Sequence, residues 1–246
     1  MVKLFSERRI SPDDPVSKYW PDFGGGAPKR VGTTVRMLLE HCGGCSTAVP
    51  NGYTLASMCD FDEMVRWVGS KDCVPTEKVG TPKYHPLTYG WLVGGLVEMV
   101  ARRSNLDVSY GTLVKSFIID ALGLQDHIFT HLPAEGTAEA EVKRVYSRVA
   151  SITCDERLTD RGPGGSDLFS HIGNMDSEGE TTRIATFDPR VFNDPVVRTS
   201  CIPACNTHMT AHGLATIYHA IGGNGCAVGS SHRILSSKYL KSLRSY

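Results

Sequence analysis

The chain has 246 residues, 41% of them apolar and 21% charged, the proportions of a soluble globular protein with enough length for one large domain. Its 26 basic and 26 acidic residues cancel, which leaves no electrostatic footprint for nucleic acid or an anionic membrane. The longest apolar run, around Trp91–Ala101, is broken by Gly94, Gly95 and Glu98 and is too short to cross a bilayer, so no membrane span is expected.

In chain order, Met1–Arg9 has no apolar run of the kind a secretory leader needs, so an intracellular compartment, cytoplasmic or mitochondrial, is expected over secretion. Thr33 or Thr34 can cap a short helix through His41 whose apolar face is Val35, Leu38 and Leu39, with Gly43 and Gly44 as its C-cap. Asp60 and Glu63 form a capping-box-like start for Phe61–Val68. Gly80-Thr81-Pro82 breaks the chain ahead of Tyr84-His85-Pro86, and a helix from about Leu87 to Arg103, apolar on most sides, reads as deeply buried. Ser109 starts a further helix through Leu122, with Gly123 ending it, and Ala138–Val149 is polar and amphipathic. From Asp155 to Thr182 the chain is polar and glycine-rich around Arg161–Ser166, and is expected as a flexible insertion loop (155–182). Arg183–Phe187 is the best strand candidate; Thr210–Ile221 is a helix closed by Gly222 and Gly223, and Ser236 caps a last one.

The eight cysteines are too few for a disulfide scaffold in a chain this long, and reduced buried thiols are expected. Cys42-Gly43-Gly44-Cys45 has redox spacing, but it follows a helix where such motifs open one. Cys201, Cys205, His208 and His212 are spaced four, three and four apart; on one continuous helix they would line a rod and could not surround a tetrahedral ion. Neither a metal nor a cofactor is expected.

The most informative stretch is Tyr84-His85-Pro86-Leu87-Thr88-Tyr89-Gly90-Trp91-Leu92. A tyrosine in a polar turn at the mouth of a buried helix is placed either for proton transfer or as a cap whose hydroxyl finds a backbone partner. The stretch resembles the "Y-H-A-x-T-x-G-W-L" form of the Tyr-x-Asn motif in serine hydrolases of the penicillin-binding fold. That family comprises class C β-lactamases, their esterase relatives and the mitochondrial β-lactamase-like branch. Three further segments resemble it in the same order: Ile10–Pro21, Thr34–Gly44, and Phe192–Pro195 continuing through Ile202–Asn206 to Thr210-Ala211.

The resemblance implies an α+β fold, mainly helical here: the helical part of a β-lactamase/transpeptidase-like domain lacking most of the antiparallel sheet. It implies that the faces of Leu214, Ile217 and Tyr218 would lie partly uncovered, which points to self-association. The family's nucleophile is the serine of Ser-x-x-Lys, yet no serine stands three residues before any lysine in the chain. That motif is expected upstream of Met1, and the Lys-Thr-Gly or His-x-Gly strand after Tyr246. His171-Ile172-Gly173 has the letters but lies ahead of the Phe192 match. Residues 1–246 are thus expected to form a partial domain without the family's activity.

By the same resemblance Tyr84 is the catalytic candidate, and His85 and Asn206 are substrate-binding candidates. A hydrogen-bonded structural histidine and a turn asparagine remain the alternatives for the latter two. Pro86, where the motif has asparagine, points toward esterases. Gly95 stands where many relatives carry a glutamate. The implied partner is a small ester or amide; a non-catalytic binding or scaffold remnant is the competing reading.

Overall fold

The computed structural model describes residues 4, 7, 9–27, 30–50, 53–134, 136–153, 173–175, 181–183, 189–231 and 233–243. Several of its helices begin where short polar side chains satisfy the first unpaired N–H groups, each such cap contributing about 1 kcal/mol. Thr34 caps α1 (Val35–Leu39) by accepting the Met37 N–H, Thr54 caps α2 (Leu55–Cys59), and Asp60 caps α3 (Phe61–Gly69) through the Glu63 N–H. The long helix α4 (Thr88–Arg102) follows the Tyr84 turn.

Ser109 caps α5 (Tyr110–Val114), which widens into a π-helical stretch, Lys115–Asp120. The helix expected through Leu122 is therefore present but changes its winding. Gly123, at φ 68°, ends it, and the Leu124 N–H bonds back to the Ile119 carbonyl. Then come β1 (Ile128–Phe129), α6 (Glu139–Tyr146), β2 (Gly173–Met175), β3 (Thr181–Arg183), α7 (Pro195–Thr199), β4 (His208–Met209), α8 (Ala211–Gly222) and α9 (Ser237–Leu243).

Helix α4 is the axis of the larger core. Trp91, Leu92, Leu96 and Val100 project from it onto Met64, Val65 and Val68 of α3 and Val35 and Leu38 of α1. The Trp20 indole enters this core through a slot made by two glycines. A Cβ at Gly69 would stand 2.3 Å from Trp20 Cζ2, and one at Gly95 would stand 2.8 Å from both Trp20 Cη2 and Val65 Cγ1. A glutamate at position 95 has no room while Trp20 is there; the glycine is explained by packing. Glu98, one turn further on, is buried instead. Its carboxylate accepts the Tyr110 N–H at 2.5 Å, which ties α5 to α4, and burial pushes its pKa up.

A second core joins Ile119, Leu122, Leu124 and Ile128 to Ala220, Ile234, Leu235 and Leu240. Strands β1 and β4 bridge towards it as an antiparallel pair, with Ile128 opposite Met209. Strands β2 and β3 pair antiparallel within the segment expected to be a loop, with Asn174 opposite Thr182. The rest of that segment, including Arg161–Ser166, and residues 184–187 of the expected Arg183–Phe187 strand lie outside the described residues. These two pairs are the only sheets among the described residues, and the α+β, mainly helical class holds.

One expected boundary moves. The cap of α1 is not Gly43-Gly44: His41 takes the left-handed conformation (φ 58°), and Cys42 N–H returns to the Met37 carbonyl at 2.7 Å, closing the helix two residues earlier. On α8 the expected partial exposure is present: Leu214 and Tyr218 are 43% and 68% exposed, and Ile217 is half-buried against the second core. Cys201 and Cys205 lie in the loop after α7, His208 in β4 and His212 in α8, so the four share no helix. Among the described residues, no cluster of three or more metal-ligating side chains is present.

Candidate functional site

The Tyr84 turn is pinned to one residue from both sides. Lys83 N–H donates to the His41 carbonyl at 3.0 Å, and His85 N–H donates to His41 Nδ1 at 3.1 Å. Just upstream, Gly80 N–H donates to the Cys42 carbonyl at 2.9 Å. The His41 ring lies 5.0 Å from the Tyr84 ring and stacks on Tyr89 at 4.3 Å. Tyr84 itself is 55% exposed, and its hydroxyl makes no hydrogen bond to a described residue. A tyrosine that merely capped the core would have spent that hydroxyl on a backbone partner.

His85, next along the chain, is 2% exposed. Its Nε2 accepts the Cys45 N–H at 3.1 Å, which places the ring proton on Nδ1, where it is donated to the Lys83 carbonyl at 2.6 Å. Thr88, in the first turn of α4, donates its hydroxyl to the Cys45 carbonyl at 2.7 Å. His85 and Thr88 thus hold the Gly43–Ser46 loop by both main-chain groups of Cys45. Burial lowers the pKa of His41 and, against the pull of the Lys83 carbonyl, that of His85, so both rings are neutral near pH 7.

On the far side of this loop, Glu77 accepts the Ser46 N–H at 3.2 Å and the Ser46 hydroxyl, and pairs with Lys83 Nζ at 2.8 Å. Burial opposes its charge, but hydrogen bonds from Lys83, Ser46 and Thr76 prevail and hold its pKa at about 2. The lysine beside Tyr84 is therefore already neutralised by a carboxylate.

Asn206 is buried, and three main-chain groups engage its amide. Oδ1 accepts the Ile202 N–H at 3.0 Å, and Nδ2 donates to the carbonyls of Val197 at 2.7 Å and Ser200 at 2.5 Å. The loop it organises lies on the first turns of α4, because a Cβ at Gly90 would stand 2.6 Å from Ala204 N. Tyr84, His85 and the Asn206 loop thus gather at the N-terminal end of one helix. Tyr84 presents a free polar atom there, whereas His85 and Asn206 spend theirs on the main chain.

His41, Glu77 and Thr88 form the support of this end, and the motif letters singled out none of them as a site residue. His41 lies within the Thr34–Gly44 segment and Thr88 within the tyrosine motif itself, whereas Glu77 lies in none of the resembling segments and had no signal. The close thiol pair is likewise not the C-x-x-C one. Cys45 Sγ lies 3.7 Å from Cys73 Sγ, both buried, while Cys42 turns to the Glu40 carbonyl.

Comparison with known proteins places this arrangement. The chain is 28% identical over 227 residues to the esterase/beta-lactamase LipL of Mycobacterium tuberculosis, an alignment that covers 91% of the chain and 47% of LipL. Its fold matches a family VIII carboxylesterase (TM-score 0.70, 23% identity, 98% of this chain and 56% of that one). It also matches a penicillin-binding protein homologue from Caulobacter crescentus (TM-score 0.67, 23% identity, 98% and 56%). EstA of Arthrobacter nitroguajacolicus aligns similarly (TM-score 0.70, 20% identity, 97% and 57%). The chain spans about half the length of these relatives. The model of the Beta-lactamase family matches residues 1–244, so the tyrosine turn and the helical frame around it are those of a member of the beta-lactamase family.

Proposed function

We propose that this chain is the tyrosine-bearing, helical portion of a serine hydrolase of the esterase or amidase type, with Tyr84 as its proton-transfer group. One observation carries the reading: the Tyr84 hydroxyl is exposed and unbonded on a turn whose two flanking residues are both anchored to His41. A group that moves a proton must be held in place and yet keep its own polar atom free for the substrate. In the reaction a serine oxygen attacks the ester or amide carbonyl, and the acyl-enzyme forms as the alcohol or amine leaves. Tyr84 passes the serine's proton to that leaving group, and water then releases the acid.

Pro86 in place of the motif's asparagine favours esters over lactams. His85 and Asn206 serve the substrate indirectly, by fixing the Gly43–Ser46 loop and the 197–206 loop that wall the site. No serine stands three residues before a lysine in these 246 residues, so on this reading the chain alone forms no acyl-enzyme.

The test is turnover of p-nitrophenyl butyrate by the chain alone and by a version carrying whatever coding sequence flanks it in its gene. The expected result is background for the first and turnover for the second. In the second, Tyr84→Phe should lower kcat about a hundredfold to ten-thousandfold with little change in KM. Full turnover by the Phe variant removes Tyr84 from the mechanism.

A second reading, a non-catalytic remnant that associates with itself, has its own observation in the exposed Leu214 and Tyr218, four apart on one face of α8. The fold also matches an octameric penicillin-binding protein homologue from Pyrococcus abyssi (TM-score 0.51, 17% identity). On this reading Leu214→Lys with Tyr218→Lys should sediment as a smaller species than the parent chain. Identical sedimentation excludes that face.

A further inference from the structure

We propose that His41 is the positioning residue for Tyr84: one histidine grips the tyrosine turn by the residue before it, the residue after it and the tyrosine ring. This rests on the reading of Tyr84 as the proton-transfer group, though the grip itself can be measured without it. The His41 carbonyl accepts from Lys83 N–H at 3.0 Å, its Nδ1 accepts from His85 N–H at 3.1 Å, and its ring stands 5.0 Å from that of Tyr84. Stacking on Tyr89 at 4.3 Å fixes the ring plane against the first turn of α4.

The backbone explains how a residue at a helix end reaches so far across. At φ 58° His41 is in the left-handed region, where it closes α1 and turns its carbonyl and ring toward the 80–87 turn. Glycine or asparagine would serve the cap alone as well or better. Histidine adds an aromatic ring and, on Nδ1, an acceptor, and both are used.

The acceptor exists only while the imidazole is neutral at Nδ1. The titratable groups around it are Tyr84, His85 and Tyr89 across its ring faces, Lys83 with its partner Glu77 beyond His85, and Glu40 just before it in sequence. Burial alone lowers its pKa, so the bond from His85 is intact at neutral pH and is lost as pH falls below the ordinary imidazole value of about 6.5. His85 titrates nearby, but its protonation is read separately at the Cys45 amide that Nε2 accepts.

The experiment is amide hydrogen exchange by NMR on the 246-residue chain, corrected for the intrinsic pH dependence of exchange. In the parent chain the His85 amide should lose protection about fivefold, the worth of one hydrogen bond, in an acid step that follows the His41 ring. His41→Gly keeps the helix cap, so the Cys42 amide stays protected while the His85 amide exchanges about fivefold faster at every pH. His41→Asn keeps a left-handed cap and an acceptor that does not titrate, so protection at His85 returns and the acid step disappears.

A Gly variant with parental protection at His85, an Asn variant as fast as the Gly variant, or a parent chain without the acid step each overturns the proposal. In the turnover-competent form, His41→Gly should lower kcat and leave KM, and His41→Asn should restore kcat. If Tyr84→Phe proves harmless while the exchange pattern stands, the mechanism has failed and the grip has not.

Discussion

Trp91→Ala is expected to cost about 3–5 kcal/mol, the usual loss when a buried large aromatic is cut to a methyl group. Trp91 is wholly buried in α4 at the centre of the larger core, among side chains from α1, α3 and the Trp20 segment. Its Nε1 has no hydrogen-bond partner among the described residues, so the loss is one of packing and cavity, with no polar contact to confuse it. Against a domain stability of about 5–15 kcal/mol this is about a fifth of the whole or more. Thermal unfolding followed by circular dichroism should show a midpoint about 10 °C lower, at roughly 2–4 °C per kcal/mol for a chain of this length. Trp91→Phe should recover most of it. A shift under 2 °C for the alanine variant would mean that α4 is not the axis of the fold.

Asn206→Ala is expected to cost about 3 kcal/mol or more, from a much smaller side chain. Three main-chain groups lose their partner at once, the Ile202 N–H and the carbonyls of Val197 and Ser200, and each buried polar group left unpaired costs about 1–3 kcal/mol. Asn206→Asp should do no better than alanine. It keeps an acceptor for Ile202 but turns a carboxylate toward two carbonyls that need donors. Urea unfolding measures both. A substrate-contacting asparagine would instead leave stability intact and raise KM, so unchanged urea midpoints would return Asn206 to direct contact with substrate.

What could be read from the sequence follows a simple physical division. Local signals were legible: Thr34, Asp60, Ser109, Thr210 and Ser236 start helices because their side chains satisfy N–H groups two or three residues on, and no distant residue need be known. The buried character of α4 was legible from its apolar run. Pairings across long separations were not. Cys45 meets Cys73, Glu98 meets Tyr110 after an intervening turn, and His41 meets Lys83 and His85 more than forty residues on.

Competition between local signals also misled. Gly43-Gly44 is the stronger C-cap by composition, yet His41 takes the left-handed position, and its two bonds to the tyrosine turn supply what glycine lacks there. The same holds for Gly95, whose reason is the Trp20 indole arriving from 75 residues earlier. At the candidate site, the motif letters located Tyr84, His85 and Asn206, but only the folded chain separates the exposed hydroxyl of the first from the main-chain bonding of the other two.

The decisive measurement is labelling with a fluorophosphonate probe, which captures an activated serine as a covalent adduct, read by intact mass on the 246-residue chain beside the version extended through its flanking coding sequence. We expect no adduct on the 246-residue chain and one adduct on the extended version, abolished by replacing a serine that lies outside these residues and strongly slowed by Tyr84→Phe. An adduct on a serine within residues 1–246 would contradict this reading, because the nucleophile would then belong to the chain itself and the tyrosine turn would have to be reassigned around it.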